Sequence, residues 1–141
     1  MTDAALLRLR AVSADDITVL AACLQDAILP IADTDWFEAE RRFVLALNRF
    51  RWEQTEPSRI NTGLTINQVR TVQSKGFDRR DRGVLLNVLT LDWRPLEDGG
   101  HVTLICSEHR ALRITVDQLD LSLLDFGAPW PVDQRPDHRL Q

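Results

Sequence analysis

The longest patterned run in the chain is RRFVLALNRFRWE, from Arg41 to Glu53, and its apolar and basic residues exchange faces partway along. Successive side chains of a β-strand point to opposite sides. Phe43, Leu45 and Leu47 therefore share one side that continues as Arg49 and Arg51. Arg42, Val44, Ala46 and Asn48 share the other, which ends in Phe50 and Trp52. A flat strand with one wet side does not accommodate this order. The pattern predicts a bend, a bulge or a passage between two sides of a barrel-like sheet.

Elsewhere the periods are simpler. Leu6 to Val12 alternates leucine with arginine, which predicts a half-buried strand. Ser13 is a helix cap with Asp16 three residues on, an acidic variant of the capping box. Behind it Ile17, Leu20, Ala21, Leu24 and Ile28 fall on one helical stripe, predicting a helix from Ala14 to Ile28 that Pro30 closes. Ile31 to Phe37 reads as extended chain leading to a turn at Glu38 to Glu40. Glu53 to Ser58, with Pro57, reads as a loop. Strands are predicted over Arg59 to Ile66, with a bulge or a close backbone approach at Gly63, and over Val69 to Ser74, joined at Asn67-Gln68. Lys75 to Gly83 is a charged loop. Val84 to Arg94 reads as a strand with Leu85, Leu89, Leu91 and Trp93 on one face. Val102, Leu104 and Cys106 pair with Leu112, Ile114 and Val116 through a hairpin at Ser107 to Arg110. Asp117 caps a short last helix bearing Leu119 and Leu123, which Gly127 ends.

Strands in consecutive runs, with helices at the two ends, predict an α+β fold rather than repeated strand-helix-strand units. The expected architecture is a mostly antiparallel curled sheet or open barrel of about seven to eight strands. It carries one N-terminal amphipathic helix and one short C-terminal helix. The expected organisation is one domain over 1–127 and an irregular, proline-containing tail over 128–141, with Trp130 docking onto the sheet or a neighbouring subunit.

A length of 141 residues suits a single domain with its own core. The net charge of −4 argues against a dedicated nucleic-acid binder. Lys75 alone among the 17 basic residues is lysine, which points to a GC-rich bacterial genome. Cys23 and Cys106 show no CxxC spacing and read as small buried hydrophobes in a reducing compartment. No apolar run approaches the roughly 20 residues of a membrane helix, and the N-terminus lacks a signal-peptide profile. A cytoplasmic location is expected.

Candidate chemistry narrows to arginine. Asp33, Asp35, Glu38 and Glu40 lack the glycine and terminal glutamate of a calcium loop and surround a turn. His101, His109 and His138 are far apart, and the chain has neither a GxSxG motif nor a tyrosine. Gly99-Gly100 joins strands and opens no helix, so it cradles no phosphate. No catalytic residue, metal ligand or cofactor is expected. Arg49, Arg51 and Arg59 flank Phe50 and Trp52, while Arg79, Arg80 and Arg82 crowd one loop with Lys75. Arginine forks suit phosphates and carboxylates, and aromatic rings stack bases. The competing reading has these arginines paired with Glu53, Glu56, Asp78 and Asp81 beside them.

Several runs occur together here: LRLRA, LQDAILP, RRFVLALNRFRWE, SKGFDR and FGAPWP. With them the chain resembles, over nearly its whole length, domain-of-unknown-function family 2948 of alphaproteobacteria. The resemblance implies no activity, cofactor or site residue. The expected function is a non-catalytic binding or protein-interaction module, its partner a protein or a second copy ahead of nucleic acid, with no membrane. The alternatives are an anion or RNA binder using Arg49, Arg51, Trp52, Arg59, Arg79, Arg80 and Arg82, and an enzyme with no recognisable motif.

Overall fold

A computed structural model describes residues 6–133 together with 135 and 136. In chain order the elements are β1 (Arg8–Ala11), α1 (Ala14–Leu24), β2 (Ile28–Pro30), a 3₁₀ turn (Ile31–Asp33), β3 (Thr34–Phe37) and β4 (Arg42–Phe50). They continue with β5 (Ser58–Ile66), β6 (Val69–Lys75), β7 (Leu85–Pro95), β8 (Gly100–Cys106), β9 (Arg110–Val116) and β10 (Leu121–Pro131). All pairings are antiparallel and form one sheet in the order β1-β10-β5-β4-β2-β7-β8-β9-β6, with β3 also on β4. The sheet is not closed into a barrel. Short β2 joins its two halves, because Ile28 pairs with Asn48 of β4 and also with Asn87 of β7.

Helix α1 starts as its sequence predicts. Ser13 Oγ accepts from Asp16 N at 3.3 Å, and Asp16 Oδ2 accepts from Val12 N at 2.9 Å. Ile17, Leu20 and Leu24 are buried against the sheet, chiefly on β7. Burial of side chains this size stabilises by about 1.5–3 kcal/mol each, more than the propensities of an eleven-residue helix supply. The helix stops at Leu24, short of the predicted Ile28. Asp26 takes a left-handed φ of 64°, its N–H donates to Val88 O at 2.7 Å, and Ala27 O accepts from Val88 N at 2.8 Å. Pairing with β7 draws these residues out of the helix and leads the chain into β2 before another helical turn forms.

Four further expectations are corrected. The strands number ten among the described residues, because the short β2 and β3 pair where extended connections were expected. Among the described residues there is no C-terminal helix: Leu121, Leu123 and Asp125 point inward and Ser122, Leu124 and Phe126 outward, a period of two that pairs with β1 and β5. The four-residue spacing of Leu119 and Leu123 imitates a helical stripe but spans a bend and a strand. Strand β7 does not keep one apolar face. A register shift between Val88 and Thr90 puts Leu86 and Val88 inward before it and Leu91 after it, leaving Leu85 61% exposed. Strand β4, by contrast, runs without a register shift from Phe43↔Ile66 to Phe50↔Arg59, and the Gly63 position of β5 carries no bulge either. The exchange of faces in β4 has another cause, described below.

Beyond Phe126 the last strand shifts register at Gly127, whose φ is 75°, and resumes with Trp130↔Arg59 and Pro131↔Ser58. The chain from 128 thus continues β10 as far as Pro131. His138 lies outside the described residues.

A charge placed in the helix–sheet contact tests this core. Leu24→Asp buries an unpaired carboxylate at a fully buried site and is expected to cost several kcal/mol, a large part of the stability of a domain this size. Urea unfolding followed by far-UV circular dichroism checks it. The wild-type spectrum is expected to be strand-dominated.

Candidate functional site

Arg49 and Arg51 lie two residues apart at the end of β4, and both are buried, at 0% and 6% exposure. Their surroundings differ in one decisive respect. Arg49 Nε and Nη2 donate to Asp125 Oδ1 and Oδ2 at 2.8 and 2.7 Å, and Nη1 and Nη2 donate to Glu53 Oε1 and Oε2 at 3.0 and 2.8 Å. Nη1 also donates to Phe50 O at 3.4 Å. These bonds use the five N–H donors of the guanidinium. Asp125 in turn accepts from Thr62 Oγ1 at 2.8 Å and from Leu7 N at 3.0 Å.

This network explains the exchange of faces in β4. The inward side continues from Phe43, Leu45 and Leu47 into Arg49 because Asp125 of β10 supplies the matching charge. On the outer side Phe50 is fully buried: Trp52 meets it edge-on at 4.6 Å, and the Arg135 guanidinium sits 5.2 Å from its ring centre. Burial by itself would lower the Arg49 pKa, but its hydrogen bonds to Asp125 and Glu53 raise it. Burial would likewise raise both acids. The Arg49 hydrogen bond overcomes it, and both carboxyls stay below their usual range.

Arg51 has no such partner. Nη1 donates to Ser58 Oγ at 3.2 Å, while Nε and Nη2, both shielded from solvent, have no hydrogen-bond acceptor among the described residues. Nε and Nη2 form the fork that grips a carboxylate or phosphate through two oxygens. Arg51 lines a cleft of about 330 Å³ between the turn at 52–57 and the end of β10, with Pro57, Pro129, Trp130 and Pro131 as apolar walls and Glu56 at its margin. Val132 N donates to Pro57 O at 3.1 Å and joins the two walls. Arg135 also donates to Gln54 O behind the turn.

The other arginines of the predicted set are engaged elsewhere. Arg59 Nη1 donates to Asn48 Oδ1 at 2.9 Å and Nη2 to Asp26 O at 3.1 Å; burial lowers its pKa. Trp52 Nε1 donates to Gln25 O at 2.9 Å at the end of α1. Arg80 is paired with Asp78 at 2.9 Å, Arg79 donates to Val72 O, and Arg82 donates to Ala32 O and Thr34 O. Arg79, Arg80 and Arg82 line a different cleft from Arg51. The chain therefore does not gather its arginines around one shared cleft.

The remaining titratable groups are placed as follows. Asp33, Asp35, Glu38 and Glu40 are exposed around the turn after β3, and among the described residues no three of His, Cys, Asp and Glu converge as metal ligands. Cys106 is a core residue whose thiol is pushed up to about 11 by burial, against a small opposing effect of Arg110. His101 Nδ1 lies 3.0 Å from Thr115 Oγ1; burial, then Arg113, Arg94 and Arg70, lowers its pKa. His109 sits in the β8–β9 turn with φ 59°.

Two contributors escaped the sequence reading. Asp125 was assigned to a helix, although its place after Leu121 and Leu123 in an alternating run marks an inward acid that needs a cation. The spacing places Pro57 in a loop and Pro129 and Pro131 in an irregular tail docked through Trp130, and nothing in it joins the two as walls of one cleft. A family described as "Protein of unknown function (DUF2948)" has a profile that matches residues 7–138. No curated protein and no solved structure gives a significant match.

The buried network makes two predictions. Asp125→Ala, which leaves Arg49 half paired, is expected to cost about 3–5 kcal/mol in chemical denaturation. Because the folded Asp125 and Glu53 pKa values lie below their unfolded ones, their contribution is complete above the unfolded values and disappears as pH falls through the folded ones. Tm is therefore expected to hold near neutral pH and to drop as pH passes below roughly 4. The drop should be much smaller in Asp125→Ala.

Proposed function

The chain belongs to the DUF2948 family of proteins of unknown function, and we propose that it is a non-catalytic binding module whose ligand is an anion held by Arg51. The observation that carries this reading is the buried Nε–Nη2 edge without an acceptor. Leaving a buried donor unmade costs about 1–3 kcal/mol, and more when the donor is charged. An anion in the adjoining cleft would supply the missing acceptors, with the turn at 52–57 shifting to admit it. Arg49, with every donor occupied two residues away, shows that this strand end can satisfy a buried guanidinium completely.

The reading favours a single anionic group over a polyanion. Nucleic acid needs a row of cations along its phosphates, whereas Arg49 and Arg80 are neutralised by acids and Arg79 and Arg82 are spent on backbone carbonyls. A protein partner fits if it brings a carboxylate or a phosphate to the cleft. The setting we read is a bacterial cytoplasm, supported by the two unpaired thiols of Cys23 and Cys106.

Arg51→Met tests the proposal, since replacing a buried guanidinium that lacks acceptors by an apolar side chain that fills much of its volume is expected to be neutral or stabilising. The same change at Arg49 is expected to be strongly destabilising, because it orphans Asp125. Calorimetric titration with inorganic phosphate and with acetate is expected to show binding to the wild type that weakens with salt and is lost in Arg51→Met. Equal binding by the two proteins would refute the assignment.

A further inference from the structure

We infer that the anion is a monocarboxylate carried on an apolar body, an inference that rests on the Arg51 reading and adds the chemistry of the cleft around it. The fork sets the head group. Nε and Nη2 lie in one plane and offer parallel N–H bonds, which two oxygens of one carboxylate or phosphate accept together.

Charge then separates these two. Glu56 lines the cleft, and Glu53 is close enough to Arg51 for the guanidinium to add, after Arg49 and a backbone hydrogen bond, to what holds its carboxyl low against the larger opposing effect of burial. Arg51 thus faces nearby negative charge already. A second charge on the ligand, as in a phosphate dianion, is repelled by Glu56 and finds no second free cation on the cleft lining. One negative charge matches one open fork.

The walls set the rest of the ligand. Pro57, Pro129 and Pro131 line the cleft together with Trp130, which is 37% exposed. Such surfaces gain by covering an aliphatic or aromatic body and offer little to a sugar or a hydrated phosphate. The volume of about 330 Å³ is at the small end for ligand sites. It admits a small organic acid or the last residue or two of a chain ending in a free carboxylate. Both sources present the same chemistry.

The test uses the full chain labelled with ¹⁵N, following the Arg51 Nε–H and Trp130 indole N–H signals. The probes are phenylacetate, its neutral amide, inorganic phosphate, and N-acetyl-prolyl-leucine as free acid and as amide. Phenylacetate is expected to move both signals and to bind roughly tenfold more tightly than phosphate or phenylacetamide. The free-acid peptide is expected to exceed its amide by a similar factor. If it also exceeds phenylacetate, the source is a chain terminus; the opposite order assigns a free small acid, and either order supports the class. Phosphate binding as tightly as phenylacetate overturns the carboxylate inference and leaves the Arg51 reading standing. No movement of the Arg51 signal with any probe overturns both. Trp130→Ala is expected to weaken phenylacetate about fivefold and leave phosphate unchanged, a comparison that holds even if Arg51→Met fails to fold. Equal weakening of the two ligands, or of neither, overturns the apolar half of the inference.

Discussion

The buried pair of Arg49 and Asp125 is the contact on which one half of the sheet depends. It joins β4 to β10 across 76 residues, and through Asp125 it takes in Thr62 of β5 and the Leu7 amide beside β1. Four segments distant in sequence thus meet on one carboxylate. Desolvating two charges is expensive, and such a pair holds only when its remaining donors and acceptors are filled. Here they are. Asp125 accepts four hydrogen bonds and Arg49 gives five. The pair also selects register, since sliding β10 by one residue would point Asp125 at solvent and leave the buried Arg49 with Glu53 as its one acidic partner among the described residues.

Against this saturated neighbour, Arg51 stands out by contrast. The two share a strand end, a residue type and a degree of burial, and differ only in whether acceptors reach them. A fold able to bring an aspartate and a glutamate to Arg49 brings one serine hydroxyl to Arg51. Buried polar groups in folded proteins are nearly always hydrogen-bonded, and functional sites are among the places where that rule is broken. The cleft beside it lies between two proline-containing segments, and Val132 N ties the end of β10 to Pro57 O across it.

The same accounting removes the loop at Arg79, Arg80 and Arg82 from the argument. Its side chains fasten the loop to Asp78, to β6 and to the segment around the 3₁₀ turn. An arginine-rich stretch of sequence becomes a clasp once backbone carbonyls lie within reach of its guanidinium groups.

By itself the sequence determined the local elements. Helical spacing of Ile17, Leu20 and Leu24 behind the Ser13 cap marked α1, and the alternation of Val102, Leu104 and Cys106 against Leu112, Ile114 and Val116 marked the β8–β9 hairpin with its inward face. These features depend on neighbours a few residues away, so they are written in short windows. Family membership was equally legible, because runs such as RRFVLALNRFRWE survive as strings. What tertiary structure decided was everything that rests on partners far along the chain. Val88 ended α1 early by pairing with Asp26 and Ala27 ahead of β2, the bulge after Val88 brought Leu91 inward, and β1 and β5 together held residues 121–126 extended where the Leu119–Leu123 spacing imitated a helix. The candidate site belongs to this second kind. Arg49 and Arg51 look alike in the sequence, and only the arrival of Asp125 at one and not the other separates a structural arginine from an open one. Long-range electrostatic pairing has no signature in local periodicity, since it is a distance between strands rather than a spacing along one.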